Sequence, residues 1–131
     1  MLQFEQNLAL GLLGGLLAAS GLGQAYEGNW KRGHVYYRMV CTPCHASQAG
    51  GAIGPNTRTR AEWQAYLQAD RHARGKDSVM HFMSRPYRAG IMASNRAAEK
   101  FIDVPEQELR EDLKAFVLRS ARDGDAPTGC R

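Results

Sequence analysis

Cys41, Cys44 and His45 fall in the run Cys41-Thr42-Pro43-Cys44-His45. Two cysteines at i and i+3 lie on one side of a helical turn, so both sulfurs can form thioethers to the two vinyl groups on one edge of a haem. The next imidazole can then turn under the iron, and C-x-x-C-H is the spacing of c-type haem attachment. Two other chemistries use part of the same set. A structural zinc site normally needs a second pair of Cys or His; the one further cysteine is Cys130, with no C-x-x-C or H-x-x-x-H between. A thiol–disulfide exchanger would use Cys41 and Cys44 at the end of a strand through Val35-Tyr36-Tyr37.

The element that carries these residues separates the chemistries. Gly33, Tyr37 and Cys41 recur at a spacing of four, with Trp30 and Val40 beside them, which predicts one face of a helix. A strand would leave Gly33 without a purpose, whereas on a helix a glycine lets a second helix approach closely. No stretch after His45 alternates apolar and polar residues over strand length, which argues against the central sheet that thiol exchange requires.

Downstream, residues 46–56 form a glycine-rich loop ending in Gly54-Pro55. Thr59-Arg60-Ala61-Glu62 is a capping box, predicting a short helix over roughly 60–70 with Trp63, Tyr66 and Leu67 on one face. Residues 70–76 are a basic polar turn in which His72 is expected to be exposed. Asp77 can cap a helix holding Val79, Met80, Phe82 and Met83, which Pro86 should terminate. A second capping signature, Asp103-Val104-Pro105-Glu106, precedes an apolar stripe of Leu109, Leu113, Phe116 and Val117 ending near Arg122 and Gly124. Residues 123–131 read as a flexible tail. Its Cys130 is left over, either a free thiol or half of a disulfide joining two chains.

Composition limits the partners. At 131 residues and 14.5 kDa the chain is one domain. It carries a net charge of +4, and 13 of its 17 basic residues are arginine. With no basic run or nucleic-acid motif, acidic protein partners are favoured over nucleic acid. Leu8 to Leu22 is an apolar run too short to span a bilayer comfortably but suited to a secretory signal. Gly23-Gln24-Ala25 offers a cleavage site, so residues 1–25 are expected to be a signal peptide. Because Glu5 precedes the apolar run without any Lys or Arg, the alternative is an uncleaved N-terminal anchor.

Gly33-x-x-x-Tyr37-x-x-x-Cys41-x-x-Cys44-His45 resembles the first helix and haem site of class I c-type cytochromes, over most of residues 26–122. The resemblance implies an all-α, cytochrome c-like fold of about four to five short helices around one covalent haem c. It implies that the Pro55 carbonyl takes the Nδ1 proton of His45, and that Trp63 lies near the haem propionates, within reach of Arg58 and Arg60. The candidates for the sixth ligand are Met80, His81, Met83 and Met92. In the resembled family the ligand methionine lies in a loop before the last helix, which favours Met92, with His81 and Met83 as alternatives. The family also packs an aromatic of the last helix on the first, here Phe116 on Gly33 and Tyr37.

The implied role is electron transport rather than enzyme catalysis: a periplasmic one-electron carrier, free or in a membrane complex. Its arginines, among them Arg58, Arg60, Arg85, Arg88 and Arg96, would face acidic redox partners. A haem sensor or catalytic haem protein with an open sixth site, and an exported thiol oxidoreductase, are the alternatives.

Overall fold

The computed structural model describes residues 25–47, 53–72 and 76–128. The expected signal segment up to Gln24, residues 48–52 of the glycine-rich loop and Cys130 lie outside these residues. Among the described residues there is no strand, and the fold is all-α. No helix among them is long and apolar enough to cross a membrane.

Helix α1 (Trp30–Tyr36) starts where the Asn29 side chain accepts the amides of Lys31 and Arg32, satisfying donors that the first turn leaves over. It runs through a π-helical turn, Tyr37–Cys41, into α2 (Thr42–Ser47). In that turn the Thr42 amide reaches back to the Tyr37 carbonyl, which also accepts the Thr42 hydroxyl at 3.0 Å. The inserted residue turns everything after it relative to α1. The face carrying Cys41, Cys44 and His45 is therefore not the one a regular helix would set.

Helix α3 (Arg60–Ala69) begins at the expected capping box, with both reciprocal bonds between Thr59 and Glu62 present. A 3-10 turn, Met80–Met83, follows. Pro86 does not terminate this element but lies in the first turn of α4 (Arg85–Ile91), which Ser84 caps by accepting the Tyr87 amide. The first turn tolerates proline because its missing N–H would have had no partner. A further 3-10 turn, Arg96–Phe101, leads to α5 (Glu106–Ser120). Helix α5 follows Pro105 directly and lacks the expected side-chain cap: Glu106 accepts the Arg85 amide at 2.8 Å instead.

The stripe on α5 is the centre of the core, with Leu109, Leu113, Phe116 and Val117 all buried. Helices α1 and α5 cross at Gly33, where a Cβ would overlap the Asp112 carbonyl. Phe116 packs on Tyr37 with ring centroids 5.4 Å apart and stacks on His34 at 4.8 Å. Gly33 meets the α5 backbone itself. Residues 123–128 are not loose but are bonded back onto the fold: Ala126 to Arg119, Thr128 to Ser120 and Asn56 to Thr128.

Among the described residues two charged ones, Asp112 and Arg88, lie wholly inside. The Asp112 carboxylate accepts from the Tyr26 hydroxyl and the Asn29 amide, both at 2.6 Å, and from Arg32 Nε. Arg88, expected on the surface, is fully buried. Its guanidinium donates to the carbonyls of Phe101 and Val104, and its Nε to that of Ser84 at 3.2 Å. It thereby ties α4 to the chain entering α5, and it cannot meet a partner protein.

Three tyrosines give the fold an alkaline limit. Burial pushes Tyr36 above its ordinary value of 10.0, burial also raises Tyr87, and the hydrogen bond to Asp112 raises Tyr26. The folded chain then holds more protons than the unfolded one above about pH 10, so stability, fully present below that value, falls as pH rises. Urea midpoints measured across the alkaline range should decline. Tyr36→Phe should flatten the decline, while costing the bond from Tyr36 to the Phe82 carbonyl.

Candidate functional site

The C-x-x-C-H residues meet in one place. Cys41, at the end of the π-helical turn, and Cys44 and His45, on α2, line one wall of a cavity of about 110 Å³. Leu113 and Val117 of α5 close it from below, with Val40, Leu67 and Val79 around them. These apolar residues are buried, so the site is shielded from water except at its mouth.

The two tyrosines at the junction of α1 and the π-helical turn hold two residues of the cavity lining. The Tyr37 hydroxyl donates to the Ile53 carbonyl and the Tyr36 hydroxyl to the Phe82 carbonyl. Ile53 and Phe82 both line the cavity. Trp63, buried at 5% exposure, lines the wall from α3 and donates its indole N–H to the Pro55 carbonyl at 2.7 Å. The structure thus gives that carbonyl a different donor from the expected His45.

Charge enters at the mouth. Arg58 lines the cavity with its guanidinium 5.4 Å from the Trp63 ring centroid and 4.7 Å from that of Tyr66, a cation–π arrangement that holds the cation on aromatic faces. Arg60 is turned elsewhere. It pairs with Asp125 at 2.9 Å and donates to the Leu118 carbonyl, so of the two arginines expected near an anionic group only Arg58 reaches the cavity.

The expected sixth ligands are not at this wall. Met92 lies at the C-terminal end of α4 and lines neither the cavity nor the shallow groove beyond Cys44. Met83 is buried in the core at 1% exposure, and His81 is exposed against the rings of Phe82 and Tyr87. His72, read from the sequence as an exposed residue, lines the cavity instead. Its Nε2 stands 3.5 Å from His45 Nε2. The signal for it was weak, a lone histidine in a polar turn with no periodicity to aim it.

The Cys41 thiol is unlike the attacking thiol of an exchange enzyme. Burial, with a further contribution from the charge of Cys44, pushes the Cys41 thiol up to about 12. It stays protonated at neutral pH, whereas an attacking cysteine works best with a pKa near the ambient pH. Among the described residues no group of three or more His, Cys, Asp or Glu could hold a metal ion, so the zinc reading has no ligand set there.

The lining fits a haem in kind: two thiols and an imidazole on one wall, apolar and aromatic side chains around them, and one cation at the mouth for an anionic substituent. A cavity of about 110 Å³ is below the roughly 300–1,000 Å³ of ordinary ligand sites. Seating a macrocycle therefore requires the cavity to widen, and Ile53 and Arg58 line it from irregular backbone. Comparison of the chain with protein-family models, curated proteins and solved structures finds no match.

Proposed function

We propose that residues 26–122 form a monohaem c-type cytochrome of class I kind, which carries single electrons between redox proteins outside the cytoplasm. The observation that carries this reading is the convergence of Cys41, Cys44 and His45 on one apolar, aromatic-walled cavity. When bound, haem c supplies the one-electron iron couple, tuned by axial ligation and burial.

The chain's own residues do the rest. Cys41 and Cys44 would tether the group through thioethers, and His45 would supply an imidazole to its iron. The bonds from Trp63 to Pro55, from Tyr36 to Phe82 and from Tyr37 to Ile53 hold Trp63, Phe82 and Ile53 in the lining, and Leu113 and Val117 exclude water. Arg58 neutralises an anionic substituent at the mouth. The exposed Arg85 and Arg96 attract acidic partners to the surface. Export of the chain, its placement in the periplasm or in a membrane complex, and pairing of two chains through Cys130 belong to the same proposal.

The test is to produce the full chain in a host with haem c attachment machinery. A Soret-absorbing pigment should remain with the polypeptide through acid–acetone extraction, and the double variant Cys41→Ala, Cys44→Ala should lose it. A wild-type chain without Soret absorbance would overturn the reading.

A further inference from the structure

The geometry points to His72 as the second axial ligand, opposite His45, an inference that rests on the haem reading above. His45 and His72 reach the cavity from different elements, α2 and the segment after α3, and their rings lie 5.7 Å apart between centroids. Their Nε2 atoms face each other at 3.5 Å. That separation is at the long end for a hydrogen bond between ring nitrogens, beyond the 2.7–3.2 Å of most N–H bonds. It is close to the spacing of about 4 Å that two imidazole nitrogens require on either side of one metal ion, each about 2 Å from it.

His72 is built into this position. Asp70, the one described non-glycine residue in the left-handed region, with φ 51°, ends α3 and turns the chain back. The Asp70 carboxylate accepts the Met80 amide at 3.0 Å, and the His72 amide donates to the Asp77 carbonyl at 3.3 Å. These bonds tie the backbone at Asp70 and His72 to Met80 and Asp77. The Phe82 ring packs on the imidazole with centroids 4.8 Å apart. A merely exposed histidine would need none of this support. Met92, by contrast, would have to leave the end of α4 to enter the cavity.

Imidazole–imidazole ligation gives the iron a lower potential than imidazole–thioether ligation, because the thioether favours the reduced metal. The site would then be closed to exogenous ligands, which disfavours the open-site sensor.

Absorption, near-infrared and electron paramagnetic spectra of the purified, pigmented full chain test this. The wild type should be low-spin without a near-infrared sulfur-to-iron band. His72→Ala should become high-spin, bind carbon monoxide when reduced, and return to low-spin with added imidazole. His72→Met should gain the sulfur band and a higher potential; it retains a donor and so answers the question if the alanine variant does not fold. Met92→Ala should leave the spectrum unchanged. A sulfur band in the wild type that disappears in Met92→Ala, or a His72→Ala protein that stays low-spin without imidazole, overturns the assignment while the haem reading stands. Loss of covalent pigment from the wild type itself overturns both.

Discussion

Gly33→Ala should destabilise the chain by about 3 kcal/mol or more, at the top of the range for overpacked interiors. At this position the added methyl would overlap backbone, the Asp112 carbonyl and the start of the next peptide unit. A flexible side chain could turn aside, but the α5 backbone cannot without moving the whole helix. Moving α5 would also displace Phe116 from Tyr37, and Leu113 and Val117 from the cavity they close. Since domains of this size are stable by roughly 5–15 kcal/mol, much of the margin would be lost. Urea unfolding of the full chain measures the effect, and Gly90→Ala provides the control. Gly90 lies exposed in α4 with nothing within 4 Å of an added Cβ, so its replacement should raise stability by about 0.5–1 kcal/mol. Equal midpoints for the two variants would mean that α1 and α5 do not cross at Gly33.

Asp112→Ala should cost about 3 kcal/mol. The carboxylate is fully buried and receives three donors, so its loss leaves the Asn29 amide, the Tyr26 hydroxyl and Arg32 Nε without their shared acceptor. Breaking a buried charged pair costs about 3–5 kcal/mol. The lower end applies because the Arg32 side chain is 30% exposed and keeps its pairing to Glu108 at 3.0 Å. Asp112→Asn should recover only part of the loss, since an amide has one acceptor oxygen and turns an NH₂ toward groups that are themselves donors. A midpoint for Asp112→Ala within about 0.5 kcal/mol of wild type, the size of an ordinary surface change, would show that these donors find water instead.

These two sites differ in how far the chain itself announced them. Gly33 was visible as the odd residue on a helical face, because helical periodicity needs only neighbours three and four positions away. The capping box at Thr59 and Glu62, the terminal stripe from Leu109 to Val117 and the pairing of Phe116 with Tyr37 were legible for the same reason. Asp112 was not, since an aspartate in an amphipathic helix is usually on the wet side, and only Tyr26, Asn29 and Arg32, about 80 residues away in the chain, make its burial tolerable. Arg88 is the same case: three carbonyls replace water around it, and no local pattern foretells carbonyls gathered from separate turns.

The sequence by itself determined the all-α character, the spacing Cys41-x-x-Cys44-His45 and the helix that carries it, because these depend on residue types within a turn or two. Only the tertiary structure decided what faces them. The π-helical turn inserts one residue before the motif and so selects which wall Cys41, Cys44 and His45 line. The left-handed Asp70 and the bonds to Met80 and Asp77 bring His72 across from His45, leaving Met92 at the end of α4. Contacts between residues far apart in the chain depend on how loops close and helices cross, and those are settled by the summed packing of the core rather than by any local run of residues.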